Sequence, residues 1–237
     1  MARRSLGGYF RRCNLLTSLI LVFPLWLIYQ LGVVFMPQQG NGADFLTERL
    51  VLLAGSLKAY LLGHLVLALL FAVVVLILRR KQQFDPRIVV PLILESSVYA
   101  ITMGGLIVSL MNLLHISPEL RLNALHRGPL SIAFVSIGAG VNEELLFRLI
   151  LLSATLLFLQ KFFSFSRWAT VALGFLITAA LFSAAHHLIG GEPWHFGVFT
   201  YRLFCGLIFA ALYQWRGFAV AVYTHTLYDV YVMVLKS

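Results

Sequence analysis

Charge is scarce in this sequence. Of 237 residues only 11% are Asp, Glu, Lys or Arg, and the acidic residues number 9. Soluble domains carry roughly 25% charged residues, so a soluble globular fold is excluded. Cysteine is scarcer still: Cys13 and Cys205 lie in separate segments without a CxxC spacing. Neither a disulfide framework nor a zinc knuckle is indicated, and both read as unpaired thiols. There is no HExxH, no internal repeat and no polar stretch longer than a linker. The basic excess (18 Lys and Arg, net charge +9, pI about 9.9) would suit a nucleic-acid binder. Those cations sit beside apolar runs, as membrane-flanking charge does, so no nucleic-acid partner is expected.

Apolar residues dominate instead, at 60% of the chain with a mean hydropathy of +0.90. A span needs about 20 of them in succession. The sequence predicts an all-α, polytopic transmembrane helix bundle with about seven spans, near 14–36, 57–78, 89–114, 130–158, 168–189, 198–215 and 217–235. The fourth is long enough to tilt or to extend beyond the bilayer. The sixth and seventh meet in a tight turn at Trp215, Arg216 and Gly217. The first, after a basic start, is too long for a signal-peptide core and reads as an uncleaved signal anchor. The expected division is three N-terminal spans in 1–128 and a four-span core in 129–237, within one integral-membrane domain.

Lys and Arg are asymmetric about these spans. Arg3, Arg4, Arg11, Arg12, Arg79, Arg80, Lys81, Arg87, Lys161, Arg167 and Arg216 fall on one side. Arg49, Arg121, Arg127 and Lys236 fall on the other. By the positive-inside rule the N-terminus is cytoplasmic and the C-terminus outside. The expected location is a bacterial cytoplasmic (inner) membrane.

Against that economy, "AGVNEELLFRLILL" (Ala139–Leu152) places three charges inside the fourth span. Charge at bilayer depth costs several kcal/mol unless paired or hydrated, and so marks function. Glu144 and Arg148, four apart, share a helix face and can pair. Glu143 is rotated about 100° away and is the odd carboxylate, suited to general acid or base work. In the fifth span Phe182 and His186 are four apart, with His187 directed elsewhere. In the seventh, His225 and Asp229 are four apart, a spacing that lets a carboxylate orient an imidazole. A lone buried histidine is usually a packing residue. Polar groups on three helices that can be neighbours point to a shared site in the last four helices.

In order and spacing, "EELLFR", "FSAAH" and "HTLYD" resemble the EExxxR, FxxxH and HxxxN/D motifs of the CPBP family. This is the CAAX protease and bacteriocin-processing (Abi) group of intramembrane glutamic endopeptidases. The stretch from Phe199 to Leu227 is also similar, with Phe204 and Gly206 at a close helix contact. The resemblance covers about residues 130–235 and implies a hydrolase without a metal or other cofactor. Its substrate would be a membrane-anchored peptide or protein, met within the lipid bilayer. It implies that Glu143 activates water, that His186 holds the water or stabilises the oxyanion, and that His225 and Asp229 complete the pocket. Glu144, Arg148 and Phe182 would support them. The motif commonly ends in Asn where this chain has Asp229, which when ionised accepts but does not donate.

Other polar residues have plainer readings. Arg202 pairs with Glu144 or Asp229, or snorkels to the interface. Glu95 and Lys58 form a buried pair or snorkel. The loop "GGEPWHFG" (Gly190–Gly197, with His195) is structural, close to the pocket mouth. The competing functions are an intramembrane zinc metalloprotease through Glu143, His186, His225 and Asp229, a proton-relaying transporter, and a non-proteolytic regulatory scaffold. The fourth span starts outside and His186 lies near the outer end of the fifth, so an extracytoplasmic opening is expected. That suits exported or anchored substrates better than cytosolic CAAX processing.

Overall fold

The computed structural model describes residues 13–35, 51–117, 128–189 and 192–235. Arg3, Arg4, Arg11, Arg12, Arg49, Arg121, Arg127, Gly190, Gly191 and Lys236 lie outside the described residues. Among the described residues there are seven long helices and no strand. They are α1 (Leu15–Phe35), α2 (Leu57–Leu78), α3 (Val89–Leu113), α4 (Pro129–Phe162), α5 (Arg167–Leu188), α6 (Phe196–Arg216) and α7 (Phe218–Leu235). The first six are long and apolar enough to cross a membrane, α3 together with the short turn of helix before it; α7 is a shorter apolar helix. The protein is therefore a polytopic helical bundle, and each helix falls on one of the seven expected spans.

Local chemistry sets the helix ends. The Ser56 and Ser166 hydroxyls accept from the Ala59 and Ala169 amides, capping α2 and α5. Gly217 closes the α6–α7 turn at φ +103°, and a Cβ there would lie 2.8 Å from the Cys13 carbonyl oxygen. Only glycine meets both conditions. The turn is tied to the start of α1, because the Cys13 amide donates to the Arg216 carbonyl (2.9 Å).

The bundle is layered around α7. That helix packs on α4 and α3, α5 packs on α6, and α1 closes against α4 and α7. Residues Ala219, Val220, Ala221 and Val222 at the start of α7 are almost fully buried. α2 is the opposite case: among its residues only Tyr60 is buried, and its leucines and valines face outward. Helices need not bury apolar faces against one another in lipid, so a peripheral, largely apolar α2 fits a bilayer and not water.

Glu95 on α3 is not paired with Lys58. It receives both guanidinium branches of Arg216 (2.6 and 2.8 Å) and the Tyr99 hydroxyl (2.8 Å). Arg216 reaches α3 because it ends α6 beside the turn, a neighbour that linear order conceals.

Candidate active site

α4 holds the two glutamates, and it is not uniform. It is α-helical over Pro129–Glu144, π-helical over Leu145–Leu152 and α-helical again over Ser153–Phe162. The wider turn begins directly after Glu144. π segments cost hydrogen-bond geometry and cluster at functional sites. Periodicity does not reveal this one, because the segment is apolar nearly all round. Its far end is held where Ser153 Oγ meets the Tyr213 hydroxyl of α6 (2.8 Å).

Glu143, Glu144, Arg148, Phe182, His186 and His225 are all buried. Arg148 Nη1 lies 3.2 Å from Glu144 Oε1, the expected pair, and Nη2 donates to the Gly206 carbonyl (3.3 Å). Three phenyl rings enclose the guanidinium, Phe182 at 4.4 Å, Phe209 at 5.4 Å and Phe147 at 5.9 Å from its carbon. Cation–π attraction is strongest when desolvated, so the cage offsets part of the cost of burial.

Glu144 does more than balance Arg148. Its Oε1 accepts the Nδ1 hydrogen of His225 at 2.8 Å, a link between α4 and α7. The imidazole of His225 lies flat against Phe209, with centroids 4.4 Å apart and planes 14° apart. Its Nε2 then faces Glu143 Oε2 at 3.8 Å and Asp229 Oδ2 at 3.6 Å. His186 Nδ1 donates to the Phe182 carbonyl at 2.9 Å, since a carbonyl only accepts. That fixes the tautomer, and Nε2 is turned to Glu143 Oε2 at 3.7 Å. Phe182 braces the group with edge contacts to His186 (4.8 Å) and His225 (6.3 Å).

The structure thus brings together Glu143, Glu144, Arg148, Phe182, His186, His225 and Asp229. Glu143 Oε2 is a buried carboxylate oxygen with no hydrogen-bond partner, and both imidazole Nε2 atoms are directed at it. Asp229 is the most open member, with 19% of its side chain exposed, and marks the accessible edge. Among the described residues no group of three or more His, Cys, Asp or Glu has metal-holding geometry.

Close packing sets these distances. A Cβ at Gly140 would overlap Thr226 Oγ1 and lie 3.1 Å from the Val222 carbonyl, so α4 and α7 touch backbone to backbone beside the site. A Cβ at Gly206 would lie 2.9 Å from Ala179 Cα, which joins α6 to α5. Phe204 and Gly206 were the expected close contact, and the glycine makes it.

Residues 126–231, which take in this whole site, match the family model described as Rce1-like, type II CAAX prenyl endopeptidase. The match supports the CAAX protease family. It spans α4 to α7, as the motif resemblance did, and it supports a membrane peptide hydrolase. Together with the six apolar helices it supports an integral, multi-pass membrane protein with a membrane-associated substrate. No curated protein and no solved structure matched the chain.

Three further contacts do not follow from the sequence. Phe209 stacks on His225, although its place three residues after Gly206, on one helix face, was a usable signal. The Tyr201 and Tyr228 hydroxyls bond to each other between α6 and α7. Arg202 pairs with neither Glu144 nor Asp229; it binds Glu192 through Nε (2.7 Å) and Nη2 (3.1 Å).

Proposed function

We propose that the chain is an intramembrane endopeptidase of the glutamic type, with Glu143 as the general base. The observation that carries this is the unpartnered Glu143 Oε2 facing two imidazole nitrogens at 3.7 and 3.8 Å. A water lodged beside an unpartnered polar atom at such separations would bond to it. His186 has committed its Nδ1 hydrogen to Phe182, so its Nε2 lone pair accepts from that water and aims it. Glu143 takes a proton as the water oxygen attacks the peptide carbonyl, then returns it to the departing amine. His225, its Nδ1 hydrogen accepted by Glu144, acts as the doubly protonated imidazolium and donates from Nε2 to the carbonyl oxygen as charge gathers there. Asp229 stands at the open edge beside that nitrogen, where the peptide enters.

The substrate is a membrane-anchored peptide or protein. N-terminus cytoplasmic and a site opening on the opposite side complete the reading, since His186 and Asp229 lie toward the ends of α5 and α7 remote from the basic loops.

The test compares membrane proteomes of cells carrying the wild-type chain and Glu143→Gln. A membrane protein that accumulates uncleaved with Glu143→Gln, at unchanged enzyme abundance, is the expected result. Unchanged cleavage by the variant overturns the mechanism. Loss of wild-type cleavage on chelation would move the reading to a metalloprotease.

A further inference from the structure

His186 sits two residues before the end of α5, where helices fray and the last carbonyls lack partners. An aimed lone pair at such a place needs an external hold. The segment 192–195, ahead of α6, supplies one. The Glu192 amide donates to the His186 carbonyl (3.1 Å). The Glu192 carbonyl accepts from His187 Nδ1 (3.1 Å). Trp194 packs its ring against His187 (5.1 Å) and Phe199 (5.0 Å). Each of these contacts joins the segment to its own flanks.

The Glu192 carboxylate makes the connection across the bundle. Arg202, on the second turn of α6, grips it at both oxygens (2.7 and 3.1 Å). A bidentate guanidinium–carboxylate pair fixes direction as well as distance. The pair is about one-quarter exposed, 27% for Arg202 and 23% for Glu192. Exposed ion pairs contribute little stability, so its value lies in geometry.

We infer that Glu192 and Arg202 are positioning residues that hold the His186 end of α5 in register with Glu143. The inference rests on the proposed role of Glu143 and His186. It assigns a task to a loop carboxylate and an α6 arginine that none of the three motifs contains. Arg202 acts through Glu192, and Glu192 acts through the His186 carbonyl. Misplacing an aimed group by about 1 Å can cost up to a hundredfold in rate, while substrate binding elsewhere is untouched.

The experiment uses the full chain in lipid vesicles. Its probe is an internally quenched, lipid-anchored peptide chosen because the wild type cleaves it and Glu143→Gln does not. Glu192→Gln, Arg202→Gln and the double variant should each lower kcat about ten- to a hundredfold with KM unchanged. The double variant should be no worse than the worse single, because both break one chain of contacts. Arg202→Lys, which keeps the charge and a single donor, should recover part of kcat. Amide exchange at Glu192 should quicken in the Gln variants, a readout independent of turnover. Unchanged kcat for Glu192→Gln overturns the inference, as does a raised KM for Arg202→Gln alone, which would put Arg202 against the substrate. A Gln variant that does not fold is replaced by Glu192→Ala or Arg202→Met, and an unchanged kcat in whichever folds is also decisive against it. If no probe separates Glu143→Gln from wild type, the Glu143 mechanism itself has failed, a result distinct from either.

Discussion

Glu144 accepts the Nδ1 hydrogen of His225 at 2.8 Å while lying 3.2 Å from the Arg148 guanidinium. One carboxylate therefore neutralises a buried cation on its own helix and fixes an imidazole on another. Removing one partner of a buried pair costs about 3–5 kcal/mol, because the other charge is left uncompensated. Glu144→Ala should lose stability on that scale by thermal unfolding in nanodiscs. Glu144→Gln keeps an acceptor for His225 and should lose less. Wild-type stability in Glu144→Ala would mean that the aromatic cage alone carries Arg148.

Two glycines set the depth at which the helices meet. At Gly206 an added Cβ meets the Ala179 backbone, which has no rotamer to move. At Gly140 it meets both the Thr226 side chain and the backbone of α7. Overpacking of this kind costs about 1–3 kcal/mol. Gly206→Ala and Gly140→Ala should both lower the unfolding temperature, and Gly140→Ala should also lower kcat by separating Glu143 and Glu144 from His225. Gly63→Ala, with nothing within 4 Å, is the control and should be neutral or slightly stabilising. Equal behaviour of all three would remove the packing argument.

Much of this was legible in the sequence, for physical reasons that also explain the rest. Apolar length and turn residues give the helices, because lipid demands both. The pairings within a helix, Glu144 with Arg148 and Phe182 with His186, follow from the helical repeat. Contacts between helices do not follow from it. Glu144 with His225, Arg216 with Glu95 and Arg202 with Glu192 join residues whose separation in the chain carries no period. The π turn after Glu144 was hidden for a different reason: apart from Arg148 the segment is apolar all round, so no polar stripe drifts to betray it.

The Glu95–Arg216 pair offers a test away from the site. Its side chains are 11% exposed, and it ties α3 to the α6–α7 turn. Leaving a largely buried, charge-assisted donor unsatisfied costs about 1.5–3 kcal/mol. Glu95→Gln should lower the unfolding temperature while the folded fraction cleaves with an unaltered KM. A variant of wild-type stability would show the pair to be solvated and of little weight.

Asp229 stands where the motif commonly has Asn. An amide both donates and accepts, and Asp229 lies 3.6 Å from His225 Nε2. Asp229→Asn should therefore stay within about tenfold of wild-type kcat, the worth of a single hydrogen bond of roughly 1.4 kcal/mol. Asp229→Leu should lose far more, since it removes every polar atom from the open edge. Equal loss in both variants would mean that the negative charge of Asp229 is what the site requires.

The side on which the site opens can be read by thiol labelling. His195 precedes α6 at the end of the bundle that carries His186 and Asp229, remote from the loops bearing Arg79, Arg80, Lys81 and Lys161. A cysteine placed there, His195→Cys, should react with a membrane-impermeant maleimide added from outside intact cells. It should be protected in inverted vesicles. The natural thiols give little background: Cys205 is buried, and burial holds the Cys13 thiol above its ordinary value, so less reactive thiolate is present at neutral pH. Labelling of position 195 in inverted vesicles alone would turn the site to the cytoplasm. That outcome would favour substrates processed there over exported or surface-anchored ones, and it would leave the geometry around Glu143 untouched.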